Sequence, residues 1–595
     1  MVDSVVADKG DLVTSEIKLD GKAMNDTFMV TSIETSCQIN RIPHATIKLS
    51  DGDMALADFP ISSAKDLEPG TKIEIKAGYH ARNKVIFSGV ILSQSVTLDV
   101  QGVSHLVIHC SDKTIGASLT RMSSQFHNAK DSDVMAKLLQ KLGIKSDIEA
   151  TRTQFPHRIV NRSSVWDYVV SRAEANGMVV SVRDGKVTVG APSLDAPILC
   201  TAYGDSILDM DLELDATRQI GGIKASAWDP KTQKLITVTG KEPSLNKQGS
   251  LSGKKLADAL GLDDPTLQSD APIEQDMLQS WANGHVSKMR LSRISGWIEF
   301  PGNASVEANS LLQLQGLGTK FNGDGYVSGV EHHLHDGEWV TTVHMGLDPI
   351  WFTEENRDVS APISAGLNPG VEGLQIATVI KIHDDPDGER RILVTMPMQD
   401  NSDDGVWVRI ASPYATNNAG FVFLPEPGDE VIIGFLGGDP DAGIVLGALH
   451  SSARPSPVTP DEANTIKAIV TNAQMKLSFD EEKKVITIET PGGHVVTMSD
   501  DEKQITLTDS NDNKVEMTED GIALSSPKDI TIAADGKVDI KGQGGVTVSS
   551  PQDVSLSGAN ISASANMGLK AEGATSAEIS SSGMTTVKGT TVMIN

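Results

Sequence analysis

Apolar residues toward the C-terminal end of the chain come in pairs, two positions apart, and the pairs return every eight residues. Ile530/Ile532, Val538/Ile540, Val546/Val548 and Val554/Leu556 set the rhythm. It shortens to seven at Ile561, resumes at Leu569, weakens at Ile579 and Val587, and closes with Val592 and Ile594. Residues two apart point to the same face of a strand. Gly, Ser, Asp, Asn and Pro between the pairs supply turns. A strand and a turn in every octad predict a slender β-helix of stacked short strands. Looser pairs precede it: Ile486/Ile488, Val496/Met498, Ile505/Leu507, Val515/Met517 and Ile522/Leu524.

One such coil cannot stand alone. Ordering eight residues costs roughly 8–16 kcal/mol of backbone entropy, and two buried aliphatic side chains return only about 3–6 kcal/mol. Neighbouring strands must complete each coil. Three octads of one chain could close a triangular turn, or three chains could each supply one side; periodicity leaves both open.

Upstream, the pattern changes. Residues 1–360 read as mixed α and β. Alternation predicts strands at Thr71–Ala77, Val85–Leu92 and Leu106–Cys110. A helix is predicted over Asp131–Leu142, capped by Asp131, with Val134, Leu138, Leu139 and Leu142 forming its stripe and Gly143 stopping it. A second helix runs Val165–Asn176 behind Ser164. A third covers Ile273–Met289, where Ile273, Met277, Trp281 and His285 recur every four residues. Polar, glycine-rich Leu245–Asp270 reads as an excursion or mobile loop. Residues 361–373 form a linker. Five or six short strands are then predicted, at Ile376–Ile382, Arg391–Met396, Val406–Ile410, Gly420–Phe423, Glu430–Phe435 and Ile444–Ala448. That density makes residues 374–450 a small barrel. A proline-rich joint at 451–464 leads into the spike at 465–595.

Composition agrees with this plan. A chain of 595 residues needs several cores. No aromatic residue follows Phe479, as a rod too thin for rings requires. The formal charge of −28 argues against a nucleic-acid surface. Three widely spaced cysteines, Cys37, Cys110 and Cys200, read as buried thiols of a chain made in a reducing compartment. The N-terminal segment shows no secretory signal pattern, and no run reaches the ~20 apolar residues of a membrane span.

Candidate chemistry is sparse. His332, His333 and His335 form one cluster, and three copies could gather them around a metal, but a solvated hairpin ending at Asp336–Gly337 is the simpler reading. Asp384, Asp385, Asp387 and Glu389 crowd a turn without EF-hand spacing, and Asp509–Asn513 is read as a turn too. Gly316–Gly325 lacks the ending of a phosphate loop. No nucleophile elbow, zinc-protease helix or Cys–His signature is visible. No catalytic residue, cofactor or metal is expected, and the chain is read as a non-enzyme.

Residues 407–450, WVRIASPYATNNAGFVFLPEPGDEVIIGFLGGDPDAGIVLGALH, resemble the OB-fold domain of VgrG proteins, the spike subunits of type VI secretion and related contractile injection systems. Asn40–Pro43, Asp51–Gly52, Pro69–Gly70, Gly89–Ile91 and Gly325–Gly346 are similar to the N-terminal hub of the same proteins. The resemblance covers essentially the whole chain. It implies a mainly β protein: a tail-hub-like α+β domain at 1–360, an OB-fold neck at 374–450 and a trimeric, triple-stranded β-helix needle. It favours three chains over a solitary solenoid. Ile530, Ile532, Val538, Ile540, Val546, Val548, Val554 and Leu556 are then the expected trimer core. Val592, Met593, Ile594 and Asn595 are the expected platform for a PAAR-type tip protein.

The further implications concern assembly. Inner-tube and baseplate proteins would join the hub, and the needle would touch a target membrane transiently. Effector cargo is a possible passenger, and no nucleic acid is expected. The chain would be made in the bacterial cytoplasm and built into an injection particle, released or delivered through the apparatus. The rival reading is an effector carrier or a hidden cell-envelope hydrolase on the same scaffold, with a glycan-binding fibre as a third.

Overall fold

The computed structural model describes residues 2–6, 10, 12–100, 102–197, 199–261, 264–398 and 404–594. They fall into two compact units, Met1–Leu449 and His450–Asn595.

The first unit is organised by a 14-stranded sheet. Its pivot is the long strand Gly323–His335, which pairs with Ser310–Gln315 at one end and with both Val30–Gln38 and Glu338–Met345 at the other. Beyond Val30–Gln38 the order continues through His44–Ser50, Ser104–Ser111, Lys84–Leu98, Lys72–Tyr79 and Val13–Leu19. All three strands predicted here are present, each longer than its alternating core. Ile73, Ile75, Ile91, Leu106, Ile108 and Cys110 point into one apolar core with Ile33, Ile47 and Leu49.

Two α/β elaborations pack on this sheet. In one, helices Asp131–Lys141 and Val165–Ala175 bury Val134, Leu138, Leu139, Val165, Val169 and Ala173 together. The Ser164 hydroxyl accepts from the Asp167 amide, the N-cap its position predicts. Asp131 is not a cap. Lys130 holds that place, and Asp131 instead lies buried at the first helical position, accepting from Arg158, Arg172 and Asn176. Two guanidiniums outcompete a local backbone amide for its carboxylate. In the other elaboration, helix Gln275–Leu291 lies against strands Lys224–Asp229 and Lys234–Thr239. The stretch read as a mobile excursion carries helix Gly253–Leu260, capped by Ser252, and strand Thr266–Ser269, which pairs in parallel with Lys224–Asp229. A four-residue strand completed by a distant partner has no periodicity of its own to read.

Five strands, Gln375–Lys381, Ile392–Thr395, Val406–Ile410, Gly443–Ala448 and Glu430–Phe435, close a barrel in that order. Ala377, Val379, Ile392, Val394, Val408, Val431, Ile433 and Val445 fill it. The sixth expected strand, Gly420–Phe423, is absent. A short hairpin of two-residue strands, Ala415–Thr416 with Ala419–Gly420, stands there; the Phe421 amide still donates to the Tyr414 carbonyl at 2.9 Å, and Val422–Leu424 lie outside any strand.

The second unit starts as a seven-stranded antiparallel meander from Ile466–Val470 to Gly521–Ser525. Each strand pairs with the next one in sequence. Among the described residues, no strand is paired within the chain after Ser525.

Candidate functional site

The meander is amphipathic in a simple way. Opposed residues of an antiparallel ladder share a face. Here Phe479, Ile486, Met498, Ile505, Met517 and Ile522 form one column, and Ile469, Leu477, Ile488, Val496, Leu507, Val515 and Leu524 form a second. The reverse face carries Ser478, Thr487, Thr497, Thr506 and Glu516. Every early pair singled out by alternation lies in these two columns. A groove of about 550 Å³ runs along the second, lined by Ile488, Val496, Leu507, Val515, Leu524 and Ile530.

The octads continue this chemistry without a ladder of their own. Ile530, Val538, Val546 and Val554 are 50–55% exposed, whereas Ile532, Ile540, Val548 and Leu556 are 71–76% exposed. The near-equal exposure at equal octad positions shows that the repeat of the sequence carries over into the structure. So many aliphatic side chains open to solvent are characteristic of an unpartnered association surface. Val592, Met593 and Ile594 are exposed as well; Asn595 lies outside the described residues.

Two further apolar surfaces lie on the first unit. On the barrel, Tyr414, Phe421, Val422 and Phe423 are exposed, with the rings of Phe421 and Phe423 6.2 Å apart. Ser412 anchors the segment by donating to the carbonyls of Tyr414 and Phe421, both at 3.0 Å. On the hub sheet, the Lys84–Leu98/Ser104–Ser111 hairpin ends in exposed Leu98, Val100 and Val103, with exposed Met54 against Gly102. Sequence reasoning did not single out this tip; its signal is the apolar pair Val100 and Val103.

The residues weighed for chemistry find structural partners. Strand alternation disperses the histidine cluster. His332 points into the core, its Nδ1 2.9 Å from Thr341 Oγ1 and its ring beside Trp339. Burial, with the neighbouring His333, lowers its pKa to about 3. His333 lies on the other face near Glu331 (3.8 Å), and His335 is exposed near Asp336. Arg391 grips both Asp385, at 2.6 Å, and Asp387, while Lys381 pairs with Asp384 at 2.8 Å. Three of that turn's carboxylates are thus already engaged by two of the chain's own cations. Asp509 accepts from the amides of Asn511 and Asn513, and its bonds to Asn513 and these amides lower its pKa to about 2. Gly316, Gly318 and Gly323 adopt positive φ around the short helix Gly318–Phe321, a backbone turn.

A cleft of about 930 Å³ in the hub contains Glu174 and Lys288. They form a 2.6 Å ion pair, and Glu174 also accepts from the Phe352 amide while Lys288 donates to the Ile350 carbonyl. Their polar atoms hold the chain leaving the hub. No group of three or more metal-ligating side chains occurs among the described residues.

A hub sheet with α/β elaborations, a closed five-stranded barrel and a one-sided apolar meander running into octads define a baseplate-spike class of protein. Family models match all three parts. Residues 9–336 match the Alg8 N-terminal domain, and residues 375–450 the type VI secretion system/phage-baseplate injector OB domain. Residues 485–562 match the phage baseplate V C-terminal trimerisation domain. The chain belongs to the Alg8 N-terminal domain family, whose model takes in more than half of its residues, and is a VgrG-like spike protein.

Among curated relatives, the type VI secretion system spike protein VgrG3 of Vibrio cholerae is 27% identical over 177 residues, covering 25% of this chain and 17% of that protein. VgrG4b of Pseudomonas aeruginosa is 36% identical over 96 residues, 15% of this chain and 12% of its own length. The actin cross-linking toxin VgrG1 of Vibrio cholerae is 32% identical over 124 residues, 19% and 11% respectively. The chain thus spans less than a fifth of the length of these relatives. Of solved structures, a tail protein from Neisseria meningitidis superposes with a TM-score of 0.42 at 13% identity, covering 57% of this chain and 98% of that one. An E. coli type VI secretion component superposes at 0.34 and 12% identity, covering 73% and 100%.

Proposed function

We propose that three copies of this chain assemble into the central spike of a contractile injection apparatus. The observation that carries it is the run of aliphatic columns from Ile469 to Leu524, continued by octads that find no ladder within their own chain. Three such surfaces, turned inward, would cover one another and leave the threonine-rich faces in water. The match of 485–562 to a trimerisation domain supports the number three.

In this reading Ile530 through Leu556 form the trimer core. Stacked strands spaced ~4.8 Å apart resist axial compression, so the shaft concentrates the force of sheath contraction on a small area of target envelope. The hub joins the inner tube and baseplate, with the exposed hairpin tip around Val100 as its contact. Val592–Asn595 carries a conical tip protein. The protein acts mechanically, without a catalytic centre or cofactor, and works as part of an injection particle outside the cytoplasm in which it is made.

Light scattering on the purified full chain tests this directly. The expected molar mass is three times that of one chain and independent of dilution. A monomer at micromolar concentration overturns the reading.

A further inference from the structure

The hub carries a two-stranded ribbon, Arg121–Lys130 paired with Gln154–Ser164, that stands apart from the main sheet. In its register His127 and His157 are direct cross-strand partners. Such partners have Cβ atoms roughly 4.5–5.5 Å apart and share a face. Both histidines are exposed, as is the next pair on that face, Gln125 and Ile159. The opposite face, with Phe126, Arg158 and Val160, turns inward. Arg158 ties the ribbon to the first hub helix through Asp131 at 3.0 Å and lies 3.6 Å from the Phe155 ring. The ladder fixes the register of the two strands, and Arg158 anchors the second of them to the hub.

We propose that His127 and His157 form a two-imidazole site for a borderline divalent transition-metal ion, with copper(II) bound most tightly. Two neutral imidazoles within reach of one ion suit copper, nickel and zinc, and affinity among them peaks at copper. Calcium and magnesium require oxygen donors, and neither residue of the adjacent outward pair is a carboxylate. With two protein donors the ion keeps positions for water, and it staples the two strands together.

The test uses full-length, tag-free protein titrated with copper(II) alone, followed by calorimetry and electron paramagnetic resonance. The expected result is one tight copper per chain, with a signature of two equatorial imidazole nitrogens. His127→Asn and His157→Asn should each leave a one-nitrogen signature and weaken binding roughly a hundredfold, the loss expected when a two-point attachment becomes one-point. His335→Asn, at an exposed histidine elsewhere on the hub, should change neither. Because both ribbon histidines face solvent, the variants should keep the wild-type circular dichroism spectrum. Unchanged affinity in either ribbon variant, or a two-nitrogen signal surviving in the double variant, overturns the site.

Discussion

Two hub histidines are held neutral by their surroundings, and this gives the first unit a pH dependence of known sign. Burial lowers the pKa of His332 to about 3; burial and then the charge of Lys288 lower that of His285 to about 4. His285 stacks on Trp351 and accepts its indole N–H at 3.0 Å. A depressed histidine contributes stability that is present above the unfolded value near 6.5 and lost as pH falls below it. His333 works the other way, raised first by the Glu331 carboxylate 3.8 Å away and then by Glu34 and Glu299. Its contribution is present below about 6.5 and fades as pH rises through its folded value, but it is half-exposed and screened, worth about 0.5 kcal/mol. The two depressed histidines, one buried and one half-buried, therefore outweigh it. Stability of the hub should fall from pH 6.5 to 4 with a slope of up to about 1.4 kcal/mol per pH unit for each of them. His332→Asn should flatten that slope in urea titrations across the range.

Asp131 supplies a second residue-scale expectation. Burial pushes its carboxyl up, and Arg172 and Arg158 more than reverse this, leaving it below its ordinary value. Asp131→Asn would strand two partly buried guanidiniums and should cost about 3 kcal/mol in denaturant unfolding. The sequence showed a plausible cap at Asp131 and a real one at Ser164. Nothing local separates them, because Arg158 and Arg172 come from 27 and 41 residues away.

At the scale of elements, strand alternation was readable wherever a face was half-buried, and helices wherever a stripe recurred. Thr266–Ser269 escaped because its partner strand ends some 37 residues earlier in the chain. Gly420–Phe423 looked like a strand because its residues favour one, yet only Gly420 is in a strand and the pairing ends at the Phe421 amide. The paired apolar residues predicted shared faces, and the meander has them. Pair spacing alone could not tell coils from hairpins, since both place residues two apart on one side. The octad core remains a proposal, and one substitution probes it. Val546→Asp would put three carboxylates at a single level of the shaft, a penalty of several kcal/mol per buried ion. Loss of the trimer by light scattering is expected; an intact, heat-stable trimer would show that Val546 faces outward.

For the molecule as a whole, the order of parts was legible because each has its own hydrophobic period. The relation between copies was not, since a repeat of eight serves one chain or three equally well. The single-chain geometry, with exposed octads and no ladder within the described residues, favours three, as does the trimerisation-domain match.

The meander also bears on how such a shaft could be made. Its seven strands join neighbours in sequence, so their contacts are local and can zip within one chain quickly. Segments after Ser525 must wait for other chains. Refolding from denaturant should show a fast phase indifferent to dilution, followed by a slower one that quickens with protein concentration. The hairpins would then act as a primer that sets the starting register for winding.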